Sequence, residues 1–138
     1  MAVTQVARTI DTTPDALWQC VRAFGEVPWA RGALKIEVRG EGVGQVRIVD
    51  LPSGTIHERL TSLDDDARSL TYDVPAGNPL AVTDYEARMA VTDDEGRGRL
   101  TWSCTFEPNG AGEDEVARDI QKRYGAAIKA IEAYLTGR

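Results

Sequence analysis

Apolar residues recur at every second position in six separable runs between Leu34 and Phe106, and at every third or fourth position beyond Glu113. The first period belongs to strands and the second to a helix. Leu34, Ile36 and Val38 alternate with Lys35, Glu37 and Arg39, and after a turn from Gly40 to Gly44, Val46 and Ile48 alternate with Gln45 and Arg47. Beyond the turn Leu51, Pro52, Ser53, Gly54, a third run sets Ile56, Glu58 and Leu60 against His57, Arg59 and Thr61. Leu70, Tyr72 and Val74 form the fourth run, Tyr85, Ala87, Met89 and Val91 the fifth, and Leu100, Trp102, Cys104 and Phe106 the sixth. Residues 2 to 10 add a strand of weaker alternation, so seven strands are predicted. Alternation this regular means that each strand buries one face and wets the other, as antiparallel sheets do.

Two helical segments complete the pattern. Thr13 followed by Pro14 suits a helix start, since threonine caps free amide groups and proline at the first position forfeits no donor. Leu17, Val21 and Phe24 follow on one stripe, with Cys20 beside them and Gly25 closing the helix. The broken segment GEVPWARG reads as a turn or a short second helix, and carries Trp29 and Arg31. Near the C-terminus, Val116, Ile120, Tyr124, Ala127, Ile128, Ile131 and Leu135 mark a long amphipathic helix. It opens on Glu113, Asp114 and Glu115, whose charge suits the positive end of a helix dipole, and Gly137 lies just past its end. This helix is the one long element able to cover the dry face of the sheet.

A rod about 10–12 Å wide cannot fill the concave side of a twisted seven-stranded sheet, so a cavity is expected between them. Parity assigns Leu60, Tyr72, Tyr85, Met89, Trp102 and Phe106 of the sheet to its wall, and Tyr124, Ala127 and Ile131 of the helix, with Trp29 and Leu51 at the mouth. Glu58 is the unusual member, because a carboxylate on a dry face costs several kcal/mol unless paired or wetted. It is a candidate anchor for a ligand hydroxyl, or a candidate acid or base. A structural ion pair with Arg31 or Arg47, or a bulge that turns the side chain outward, is the plainer alternative. Arg31 is a candidate clamp for an anionic group at the entrance.

The 138 residues fit one domain, 1–138, large enough to bury roughly two-thirds of its unfolded surface. With 22 acidic against 16 basic residues and a net charge of -6, the chain lacks the basic footprint that a nucleic acid requires. The opening MAVTQVARTI carries polar residues throughout, and no apolar run approaches the length of a membrane span, so a soluble cytoplasmic protein is expected, as monomer or homodimer. Cys20 and Cys104 lack metal or redox spacing. His57 is the only histidine and falls on the wet face, which leaves no material for a triad or zinc site. Asp64, Asp65 and Asp66 read as turn residues rather than calcium ligands, and Gly40, Gly42 and Gly44 open no helix, which removes the dinucleotide-binding reading. No cofactor or metal is predicted.

The order of elements, with DTTPDALWQCVRAFGEVPWA, GVGQVRIVDLPSGTIHERLTSLDDDARSLTYDV, VTDYEARMAVT and LTWSCTFEP before the closing helix, resembles the START-like helix-grip (SRPBCC) superfamily. That superfamily includes polyketide cyclases and dehydrases, pollen allergens and plant abscisic-acid receptors. The resemblance implies an α+β helix-grip fold, a curved seven-stranded antiparallel sheet wrapped around a long C-terminal helix, with two short helices between the first and second strands. By the same resemblance, Leu51 to Gly54 would be a mobile loop over the cavity mouth, Glu58 a water-linked polar contact, and Arg31 would lie near a ligand carboxylate. The receptors' latch histidine and arginine have no counterpart among Pro79, Leu80, Ala81 and Val82, which makes abscisic acid itself a poor expectation. The expected function is binding of a small hydrophobic, lipid- or polyketide-like molecule. The alternative is a cofactor-independent cyclase or dehydratase in which Glu58, helped by Tyr85 or Tyr124, moves protons.

Overall fold

The computed structural model of the chain describes residues 1–30 and 32–137. Its elements follow in the order β1 (Ala2–Ile10), α1 (Pro14–Arg22), β2 (Lys35–Arg39), β3 (Val46–Leu51), β4 (Gly54–Asp64), β5 (Ser69–Ala76), β6 (Val82–Asp94), β7 (Arg97–Pro108) and α2 (Glu113–Thr136). All seven strands form one antiparallel sheet in the order β1-β7-β6-β5-β4-β3-β2. Strands β2 to β7 are therefore a meander of hairpins, and β1 closes the sheet beside β7. The fold is the helix-grip α+β fold that the resemblance implies.

Inner-face burial follows the predicted parity most closely on β7, where Leu100, Trp102, Cys104 and Phe106 are all buried. On β4 a register shift between Leu60 and Ser62 inserts one extra residue, so that Leu63 pairs with Leu70 and rejoins the core. On β3 the phase is opposite to the expected one. Arg47 pairs with Glu58 and turns inward with Val49 and Leu51, while Ile48 lies on the other face. Both faces of β3 carry apolar residues, so alternation alone left two phases open, and the cross-strand charge pair distinguishes them. Leu34 and Val38 are exposed, because the short edge strand β2 lies away from the helix that covers the rest.

The Thr13 side chain caps α1 by accepting from the Ala16 amide at 3.1 Å. The buried stripe of this helix is Leu17, Trp18 and Val21, whereas Cys20 is only half-buried. The second short helix expected before β2 is not formed among the described residues; turns closed by Glu26 N to Ala23 O and Ala30 N to Val27 O, both 2.9 Å, stand there instead. Pro28 lacks an amide to donate, and it interrupts any ladder through this stretch. Arg31, which falls in it, lies outside the described residues.

The β4–β5 turn is tied to α1 by Asp65, which accepts from Trp18 Nε1 at 2.9 Å and Arg22 Nε at 2.7 Å. Asp64 closes the same turn by accepting from the Ala67 amide. Hydrogen bonds from Arg22 and Trp18 hold the Asp65 carboxyl below its ordinary value. A depressed folded-state pKa contributes stability that is complete above the unfolded value near ~3.9 and lost as pH falls through the folded one. Asp65→Asn is therefore expected to lower the melting temperature at neutral pH and to flatten its decline in acid; a parallel decline in both proteins between neutral and strongly acid pH would contradict this.

Helix α2 buries Val116, Ile120, Tyr124, Ile128 and Ile131, at spacings of four and three. It packs on β1 and β7, one side of the sheet rather than its centre. Gln121 Nε2 donates to Thr4 Oγ1 at 2.8 Å, and Arg8 of β1 meets Glu132 at 3.0 Å. The helix ends on Gly137, at φ 74°, whose amide donates to Ala133 O. Glycine is suited there because a left-handed cap carries no Cβ penalty.

Candidate functional site

Because α2 lies over β1 and β7, the concave face of β3, β4 and β5 is left partly uncovered. The helix turns small side chains toward it: Ala126, Ala127 and Ala130 line the gap, with Arg123 one turn before Ala127. Two adjoining cavities result, of about 180 Å³ and about 490 Å³. They share Ile56, Glu58, Trp102, Arg123 and Ala127, and so are two lobes of one hollow. The larger lobe runs under Val27, Trp29 and Ala30 to Val49 and Leu51. The smaller runs between Tyr72, Val74, Tyr85 and Tyr124 toward Asn78, Pro79 and Leu80 of the β5–β6 loop. That loop passes close to β4: at Gly77, φ 75°, a Cβ would sit 1.9 Å from Thr55 O, so only glycine allows the approach.

Aromatic rings form the partition between core and hollow. Trp102 stacks on Tyr124 with centroids 4.9 Å apart, meets Trp29 edge-on at 6.4 Å and Tyr72 edge-on at 6.5 Å. Its indole nitrogen donates to the Tyr72 hydroxyl at 3.0 Å, which satisfies both buried polar groups. Tyr85 and Tyr124 join hydroxyl to hydroxyl across the smaller lobe. Burial pushes the Tyr72, Tyr85 and Tyr124 phenols upward, so all three are neutral donors at physiological pH.

One charged pair is set into this wall. Arg47, only 4% exposed, donates from Nε to Glu58 Oε1 at 2.8 Å and from Nη1 to Phe24 O at 2.9 Å. Its guanidinium carbon lies 4.0 Å from the centroid of the Phe24 ring and 5.5 Å from that of Tyr72. The cation is thus held by a carboxylate, a carbonyl and two ring faces. Among the described residues only Oε1 of Glu58 is taken by a protein donor; the side chain reaches both lobes, so Oε2 can accept from a bound molecule.

The sequence profile of the family described as polyketide cyclase / dehydrase and lipid transport matches residues 1–136. The chain belongs to this family. No curated protein matches it in sequence. Among solved structures it is similar to the protein XoxI from Bacillus cereus, with a TM-score of 0.86, 29% identity and coverage of 99% of this chain and 97% of that one. It also matches Ara h 8.0201, at TM-score 0.82, 19% identity and 99% of both chains. Truncated norcoclaurine synthase from Thalictrum flavum follows at TM-score 0.77 and 17% identity, covering 99% and 94%. At these two lower identities the likeness is one of fold.

Of the site residues the sequence nominates in this member of the polyketide cyclase / dehydrase and lipid transport family, Trp29, Leu51, Glu58, Tyr72, Tyr85, Trp102, Tyr124 and Ala127 line the hollow. Leu60, Met89, Phe106 and Ile131 do not; all four are buried in the packed core. Leu51 and Gly54 pair with each other across the two-residue turn of Pro52 and Ser53, and Leu51 itself lines the larger lobe. Sequence reasoning missed Arg123, Val49 and Ile56 as lining residues. For Arg123 a signal existed: Arg123, Ala127 and Ala130 recur at helical spacing beside the apolar stripe, small residues where a packed core would use large ones. Among the described residues no cluster of three or more His, Cys, Asp or Glu side chains could hold a metal ion, and no helix is long and apolar enough to cross a membrane.

Proposed function

We propose that this chain binds a small hydrophobic molecule, lipid- or polyketide-like, in the hollow between sheet and α2, with Glu58 accepting a hydrogen bond from the ligand's polar group. The observation that carries the reading is the larger lobe itself. At about 490 Å³ it has the size of a small-molecule site. Its wall of Val27, Trp29, Val49, Leu51, Ile56, Trp102 and alanines carries few polar groups. Such a wall rewards apolar burial, and one carboxylate oxygen fixes orientation.

A second reading draws on the smaller lobe, where the Tyr85 and Tyr124 hydroxyls stand near Glu58. Neutral phenols beside a carboxylate are the acid and base that cyclisation or dehydration of a poly-keto chain would need. The binding reading is favoured because Oε1 of Glu58 is already occupied by Arg47, at 2.8 Å, in a pair set into the wall.

A thermal-shift screen with lipids and polyketides on the wild type and Glu58→Gln separates the two. Binding alone predicts a rise of several degrees at ligand well above its Kd, with no turnover in either protein. Turnover by the wild type that Glu58→Gln loses would establish catalysis instead, and no shift with any apolar compound would remove the binding reading.

A further inference from the structure

The hollow carries a charged residue on α2 that lies outside the Glu58–Arg47 pair. Arg123 lines both lobes, on the same helical face as Ala127 and Ala130. The two described cations of the hollow differ in what occupies them. Arg47 is buried and already held by Glu58, the Phe24 carbonyl and two aromatic rings. Among the described residues Arg123 meets only Asp119, one turn earlier on the same helix, at 3.1 Å, and both side chains are nearly half exposed, at 49% and 44%. An exposed pair of this spacing contributes little, so an incoming anion can displace Asp119 at small cost. A planar guanidinium at the rim of an apolar lobe is suited to grip a carboxylate through two parallel hydrogen bonds while the tail of the same molecule stays dry.

We infer that Arg123 is the binding residue for an anionic head group, and that the ligand class is a carboxylated amphiphile whose apolar tail fills the larger lobe toward Trp29 and Leu51. This rests on the binding reading above and adds the charge of the ligand to it. Helical rise places Arg123 and Ala130 about 10 Å apart along α2, so the lobe matches a tail of medium length. Asp119 is then a competitor for the same guanidinium, which gives the inference two variants with opposite signs. Neither variant touches the core, and glutamine is a good helix former at an exposed position.

The test is an equilibrium titration of the wild type, Arg123→Gln and Asp119→Asn with dodecanoate and, separately, with dodecanol, at neutral pH, with melting temperatures confirming that each variant is folded. The expected result is that Arg123→Gln weakens dodecanoate binding by roughly tenfold and leaves dodecanol binding within about twofold, because a hydrogen-bonded charge pair is lost only for the acid. Asp119→Asn should tighten dodecanoate binding, and added salt should weaken it in the wild type and in Asp119→Asn but not in Arg123→Gln. If dodecanol binds and dodecanoate binds no better, with Arg123→Gln unchanged for both, the head-group assignment is wrong and the apolar site stands. If neither compound binds the wild type, the inference and the binding reading fall together.

Discussion

Replacing Arg47 by methionine is expected to destabilise the fold by about 3–5 kcal/mol, the largest loss from any single substitution of a polar residue here. The reason lies in what remains rather than in what is removed. Glu58 pairs with Arg47 across β3 and β4 in a wall of apolar and aromatic side chains, and its own side chain is 19% exposed. Without the guanidinium that carboxylate keeps its desolvation cost and loses its partner, and the Phe24 carbonyl loses a donor as well. The double variant Arg47→Met with Glu58→Leu should recover most of the loss, since an apolar pair of similar volume removes both charges together. Chemical denaturation of the three variants measures this. A single variant within about 1 kcal/mol of the wild type would show that the pair is wetted and not part of a dry wall.

The second large effect is on binding. Ala127 lines both lobes, and tryptophan in its place would occupy the space a ligand needs. At about 25 cal/mol per Å², a ligand denied on the order of 150 Å² of apolar burial loses about 3–4 kcal/mol, a several-hundredfold drop in affinity. Stability should hold or rise, because a cavity is filled and a packed core is left alone. A large loss of stability would mean instead that Ala127 already sits in close packing, with no hollow beside it.

The two predictions depend on different parts of the sequence, and these were not equally legible. Strand β7 could be read residue by residue, because one of its faces is buried throughout and the other is polar, which leaves a single phase. Strand β3 could not: Val46 and Ile48 compete with Val49 and Leu51 for the inside, and the deciding fact is the position of Glu58 on the next strand. A bulge in β4 likewise changes parity without a marker in the local pattern. The cavity as such was legible from the width of one helix against seven strands. Its position was not, because that depends on α2 lying over β1 and β7, a tertiary choice fixed by contacts such as Gln121 with Thr4 and Arg8 with Glu132. This offset leaves Ile56, Val49 and Arg123 facing the hollow, while Leu60, Met89, Phe106 and Ile131 belong to the core.

The aromatic residues behave in both ways at once. Trp102 is 4% exposed and stacked on Tyr124, as a core residue would be, yet it also walls both lobes. A packed partition of rings beside an open lobe gives rigidity where the ligand's tail would lie, and it brings Trp29 and Trp102 within reach as reporters.

Chemical-shift mapping by NMR during titration with dodecanol tests the central claim most directly, because it reports where an uncharged apolar molecule goes as well as whether it binds. The account predicts saturable changes concentrated on the indole N–H signals of Trp29 and Trp102 and the amides of Ile56, Glu58 and Ala127, with Trp18 unmoved. Changes centred on α1 and the β4–β5 turn, or none at saturating ligand, would contradict it.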